Sequence, residues 1–162
     1  MQNLSPFLIS SIFVLAVVIL CFAKPNAGRI FLGFFFLIMA LGVNGSFTFG
    51  NPQAYLDYAN GALIPIYRTL TVSIISLSPF LFGLLVMAFE ISMAVLLLNK
   101  GKFVKLGLLG TMLFLAGMAP LDWLQLPWLG LIVGEIYLFR QDFDRSFLDM
   151  IWPNSQKGAS NA

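Results

Sequence analysis

The sequence has no histidine and a single cysteine, Cys21. The first absence excludes bis-imidazole haem ligation, histidine-held zinc, Ser-His triads and imidazole proton relays. The second excludes a disulfide within the chain and any Cys-x-x-Cys pair, and with them a thiol oxidoreductase. Leu20, which is not small, precedes Cys21, so lipoprotein processing is not expected and the thiol reads as an inert apolar residue of a helix. Charge is scarce too. It makes up 10% of the 162 residues, while 59% are hydrophobic; a soluble domain carries about 25% charged residues. A core large enough to hide that much apolar surface does not exist at this length, because a domain of about 150 residues buries only about 70% of its unfolded surface. A soluble globule, a disordered chain and a disulfide scaffold are therefore excluded. The net charge of +2 is spread over many loops, so no basic stripe points to nucleic acid. What remains is an integral membrane protein with the lipid bilayer as its principal partner.

The expected fold is all-α, a polytopic membrane helix bundle of five transmembrane helices in a single membrane domain over residues 1–152. A span needs about 20 mostly apolar residues. The first runs over 7–23 without a charge. No Lys or Arg precedes it and no A-x-A site follows, so it reads as a retained helix and not as a cleaved signal. Lys24 to Arg29 then break the run. The second span covers 30–49, aromatic and dotted with glycine. Asn51, Pro52 and Gly61 predict a short helix over 51–60, with Asn51 as cap and Pro52 as its first residue. The Ser78-Pro79 pair starts the third span, 79–98. The preceding Pro65–Leu77 either lies in the interface or extends that span above a proline kink. The fourth span is 106–120 and the fifth 124–139. Apolar residues at Phe143, Phe147 and Ile151, with Asp142, Arg145 and Asp149 on another face, predict an amphipathic interfacial helix over 142–152. The polar stretch 153–162 is expected to be a disordered tail.

Lys24 and Arg29, then Lys100, Lys102 and Lys105, then Arg140, Arg145 and Lys157 follow alternate spans; Arg68 stands alone on the opposite side. The positive-inside rule then predicts the N-terminus outside and the C-terminus in the cytoplasm.

Candidate functional residues are those that are costly to place in a bilayer. Glu90 and Glu135 fall inside spans, where an ionised side chain costs about 2.5–3.5 kcal/mol on insertion scales. Glu90 is about 12 Å from the end of its span and is expected to face the bundle, with Gly83 and Ala94 letting a neighbour approach. It is either a proton, cation or ligand site or a structural acid, with Arg29 as one candidate partner. Glu135 is close enough to its helix end to snorkel to the interface. Asn44, Ser92 and Thr111 are the other polar candidates at mid-depth. On the opposite side, Asp57, Arg68, Asp122, Tyr55, Tyr58, Tyr67, Trp123 and Trp128 form a cluster in which Asp57 or Asp122 is the expected mate of Arg68; such a cluster either binds a quinone, lipid or partner head group or is an aromatic belt of interfacial anchors. Gly130 and Gly134 form a GxxxG that predicts close helix packing. No cofactor ligand and no catalytic motif is visible, which weighs against an enzyme.

The stretch from Gly28 to about Phe139 resembles the DoxX-like family of small bacterial membrane proteins. The residues that carry the likeness are Arg29 to Leu37, Pro52 with Tyr55, Gly83 to Glu90, Leu96 to Gly101, and the glycine-rich fourth span. The resemblance implies a four-helix bundle with an acid in its second helix, here Glu90, with the first span as an addition. It also implies the bacterial cytoplasmic membrane and, for some members, association with quinone-linked or redox-protective complexes; no motif of this chain supports a bound quinone. The expected role is a non-catalytic subunit or scaffold of such a complex, with a membrane protein partner or a second copy beside it. The alternative is a small proton- or ligand-coupled carrier that uses Glu90.

Overall fold

The computed structural model describes residues 4–152, all helical or in short connections and without a strand among them. The expected tail 153–162 lies outside the described residues, as do residues 1–3. Four helices are long and apolar enough to cross a membrane: α1 (Leu4–Ala23), α2 (Pro25–Gly50), α5 (Pro79–Leu98), and α6 (Lys102–Met118) with the 3₁₀ turn Ala119–Leu121 that prolongs it. This fits a multi-pass membrane protein. Between α2 and α5 lie two short helices, α3 (Ala54–Asn60) and α4 (Pro65–Ile75). After α6, a 3₁₀ segment Trp123–Leu129 leads into α7 (Gly130–Phe139), and α8 (Phe147–Ile151) ends the described chain.

Each boundary has a local cause. Pro25 and Pro79 start their helices at the position where a missing N–H costs nothing. Ser78 is extended, and its hydroxyl accepts from the Leu81 amide at 3.3 Å, so α4 is a separate helix and not a kinked extension of α5. Asn51 does not cap α3. It terminates α2, its amide donating to the Phe47 carbonyl, and α3 begins only at Ala54 after a turn through Pro52 and Gln53. The predicted amphipathic helix 142–152 is confined to Phe147–Ile151. Ser146 and Asp149 form a reciprocal capping box there, and the chain ahead of it is held straight by contacts to the α5–α6 loop. Gly101 has φ of +57° in that loop, and its amide donates to the Phe143 carbonyl at 2.7 Å.

Packing runs in a circuit in which α1 contacts α2, α2 contacts α5, α5 contacts α6, α6 contacts α7, and α7 returns to α1. Small residues set the close approaches. A Cβ on Gly130 would stand 2.7 Å from a Val14 methyl, and one on Gly134 would stand 3.2 Å from the Cys21 sulfur, so the GxxxG packs inside the molecule against α1. The core is apolar, with Leu32, Phe36, Leu97, Leu108, Leu131 and Leu138 almost fully buried. Leu8, Ile12, Leu15 and Ile19 of α1 and Leu81, Leu85 and Val95 of α5 stay exposed, as residues facing hydrocarbon should be.

Arg29 is the rivet at one end. It is fully buried, and its guanidinium donates to the carbonyls of Leu97, Asn99 and Arg145 and to Asn26 Oδ1, with the Phe143 ring 4.8 Å away. A cation at the carbonyl end of α5 is favoured by the helix dipole. The contact gathers the α1–α2 turn, the α5–α6 loop and the chain before α8 at one basic end, reinforced by Lys100–Asp149 and Lys105–Asp142 ion pairs at 3.0 Å each.

Candidate functional site

The site begins with an irregularity in α2. From Met39 to Asn44 the helix widens to a π turn, with the Gly45 amide donating to the carbonyl of Ala40 five residues back. Gly42 and Gly45 leave that wider turn uncrowded. A π turn inserts one residue into the helical register, a device often found at functional sites. Here it is followed by Asn44 and Thr48 turned towards α5 and α3.

Gly83 of α5 admits them. A Cβ at that position would meet Thr48 Oγ1 at 2.3 Å and Tyr55 Cε2 at 2.7 Å. Two helical turns further along α5 is Glu90, buried as expected. Its Oε2 accepts from Asn44 Nδ2 at 2.7 Å. The Tyr55 hydroxyl is 3.1 Å from Asn44 Oδ1 and 2.9 Å from Thr48 Oγ1. With Tyr55 donating to Asn44, the Thr48 hydroxyl must donate to Tyr55, because each hydroxyl has one proton. The result is a relay, Thr48 to Tyr55 to Asn44 to Glu90, in which every donor points towards the carboxyl. Among the described residues Glu90 Oε1 has no hydrogen-bond partner, and Glu90 lines a cavity.

That cavity has a volume of about 250 Å³ and extends from Glu90 and Asn44 towards Tyr58, Leu121 and Gln125 at the end of the molecule opposite Arg29. Its walls carry two sets of aromatic rings. One is Phe35, Phe36, Phe114 and Trp128, with Phe35 stacked on Trp128 at 5.4 Å and Phe36 edge-on to Phe114 at 6.2 Å. The other is Phe47, Tyr55, Tyr58 and Phe82, in which Tyr55 meets Phe47 at 5.9 Å and Phe82 at 5.5 Å. Glu90 is the one charged residue among those lining it.

The remaining predicted site residues fall elsewhere. Arg29 does not pair with Glu90; its hydrogen-bonding capacity is spent on carbonyls at the basic end, where no carboxylate is needed. Glu135 does not snorkel. It is wholly buried, neither carboxyl oxygen makes a hydrogen bond of good geometry, and Thr111 is the hydroxyl beside it. The nearby Thr111 hydroxyl is committed to the carbonyls of Gly107 and Leu108 at 3.1 and 3.0 Å. Packing explains this placement, since α7 lies against α1 through Gly134 and Cys21 and leaves the side chain no path to the helix end. Ser92 bonds back to Ala88 of its own helix. Arg68 pairs with neither acid and donates to the Ala62 carbonyl at 2.8 Å. Asp122 accepts from the Leu124 amide as the cap of the 3₁₀ segment, and Tyr67 donates to the Gly117 carbonyl. Asp57 belongs to no ion pair among the described residues, and of the predicted outer cluster Tyr55, Tyr58 and Trp128 reach the cavity. Thr48 and the π turn carried no sequence signal strong enough to single them out; Asn44, an amide inside an apolar run, did.

No protein-family model, curated protein or solved structure matches the chain.

Proposed function

We propose that the protein is a five-span membrane protein that binds a small lipophilic ligand in the cavity above Glu90. The observation that carries this reading is a carboxyl oxygen left unbonded in the wall of an aromatic-lined cavity, while the other oxygen is held by a three-residue relay. Ligand sites are concave, mostly apolar and furnished with a few placed polar groups, and an intramembrane acid facing such a space is costly unless something uses it. A scaffold subunit in a DoxX-like redox complex has no need of a cavity, so the ligand-binding carrier is the better supported of the two roles.

The fifth span is Trp123–Phe139. Seven residues of 3₁₀ helix rising about 2.0 Å each and ten of α-helix rising about 1.5 Å each reach about 29 Å, close to the hydrocarbon thickness of about 30 Å. The tighter winding lets a short segment cross. The clustering of Lys24, Arg29, Lys100, Lys102, Lys105, Arg140 and Arg145 at one end, with Arg68 at the other, supports a cytoplasmic basic end, an outward N-terminus and, with the DoxX-like resemblance, the bacterial inner membrane.

The test is to extract the protein with its native lipid in polymer-bounded discs and to compare co-purifying small molecules in wild type and Val86→Trp. Val86 lines the cavity one turn from Glu90, so the indole should fill it. A small molecule present in proportion to wild-type protein and absent from the variant is expected; identical extracts would refute the reading.

A further inference from the structure

We propose that the cavity selects a lipophilic organic monocation, a small ammonium group carried on an apolar body, with Glu90 as its counter-ion. The proposal rests on the ligand-binding reading above and names the class of ligand.

The relay consumes the neutral hydrogen-bonding groups. Asn44 spends its amide on Glu90 and its carbonyl on Tyr55, and the Tyr55 and Thr48 hydroxyls are spent on each other and on Asn44. What is left at that end is the second Asn44 N–H and Glu90 Oε1, and the ionised carboxylate oxygen is an acceptor that asks for a donor or a cation.

Among the described residues the protein supplies no cation there; the neutral donors of Tyr58 and Gln125 line the far end of the space. Arg29 is locked onto the carbonyls of Leu97, Asn99 and Arg145. Arg68 is on the Ala62 carbonyl, and Lys100 and Lys105 are paired with Asp149 and Asp142. No Lys or Arg lines the cavity, which also excludes an anionic ligand.

The walls favour positive charge. Ring faces carry the negative part of the aromatic quadrupole, and a cation within about 6 Å of one gains about 0.5–2 kcal/mol. Phe36, Phe114, Phe47 and Phe82 line the same space as Glu90. A volume of about 250 Å³ admits a single-ring ammonium compound and excludes a whole phospholipid.

The experiment uses the full chain in nanodiscs of zwitterionic lipid and two radiolabelled probes of the same shape. Benzyltrimethylammonium carries the charge, and neopentylbenzene replaces its nitrogen with carbon. Binding is counted above that of empty discs. Wild type should prefer the cation by roughly tenfold or more. Glu90→Gln keeps an oxygen for Asn44 and removes the charge, so it should bring the two probes to similar affinity. Equal affinity of wild type for the two probes would overturn the cation proposal while leaving a ligand-binding cavity standing, and it needs no variant to fold. Absence of saturable binding by either probe would overturn both readings.

Discussion

Gly83→Ala adds one methyl group at the point where α5, α2 and α3 converge. Placed on the existing backbone, that carbon stands 2.3 Å from Thr48 Oγ1, 2.7 Å from Tyr55 Cε2 and 3.1 Å from Thr48 Cβ. Non-bonded carbons sit comfortably at about 3.5–4.0 Å, so either the helices part or Thr48 and Tyr55 move. Overpacking of this kind costs about 1–3 kcal/mol. Thr48 is fully buried and Tyr55 nearly so, so no water replaces their hydrogen bond once it breaks, adding about 1–3 kcal/mol. Alanine returns about 0.8–1.0 kcal/mol of helix propensity. The net expectation is a loss of about 1–5 kcal/mol, read as a lower Tm in detergent by tryptophan fluorescence. Thr48→Ala removes the nearest of the three clashing atoms, Oγ1, so the double variant should lose less than the two single losses added together. A higher Tm for Gly83→Ala would show propensity alone at work and refute the close approach on which the relay depends.

Arg29→Ala strips the carbonyls of Leu97, Asn99 and Arg145 of their buried donor and should cost about 3 kcal/mol or more. Arg29→Lys should recover little, because a single ammonium cannot span acceptors met by a planar fork; both are read by thermal unfolding. Glu135→Leu should be neutral or stabilising, since it removes a buried carboxyl that makes no hydrogen bond of good geometry. Glu90→Leu should lower Tm by about 1–3 kcal/mol equivalent, because it orphans the Asn44 amide; the reverse order would contradict the assignment of the two acids. The Ser146 backbone N–H and the Lys100 ammonium hold the Asp149 carboxyl down, from an ordinary 3.8 to about 2. A depressed carboxyl stabilises α8 above its unfolded value, and that contribution is lost as pH falls towards 2. Pepsin cleavage beside Phe147 should therefore increase over that interval, whereas Asp149→Asn should be cut throughout it.

Much of the architecture was legible because hydropathy and punctuation agree. Ser78-Pro79 opens α5 where capping chemistry requires, and an apolar run interrupted only by Glu90 turns that acid inward. The failures share a cause: each depended on partners distant in sequence. Arg29 reads as an ion-pairing residue until the ends of three helices converge on it with carbonyls alone. Glu135 is near enough to its helix end to snorkel, and only the Gly134–Cys21 contact shows why it does not. The amphipathic spacing over 142–152 is real, but Phe143 and Asp142 are used to bind the α5–α6 loop, so the helix waits until the Ser146 cap. A π turn has no composition signal beyond Gly42 and Gly45, and so the alignment of Asn44 with Glu90 and Tyr55 emerged only from the fold. Trp128 reads as an interfacial anchor; stacked on Phe35, it is a wall of the cavity.

The central claim is that, of two acids buried at membrane depth, Glu90 opens onto a ligand space and Glu135 is sealed. A lipophilic carbodiimide, which condenses with the protonated fraction of a carboxyl it can reach when no cation is bound there, tests this directly when the modified residue is located by peptide mass spectrometry. The account predicts adduct on Glu90, prevented by filling the cavity with Val86→Trp, and none on Glu135. Adduct on Glu135 with Glu90 untouched would contradict it.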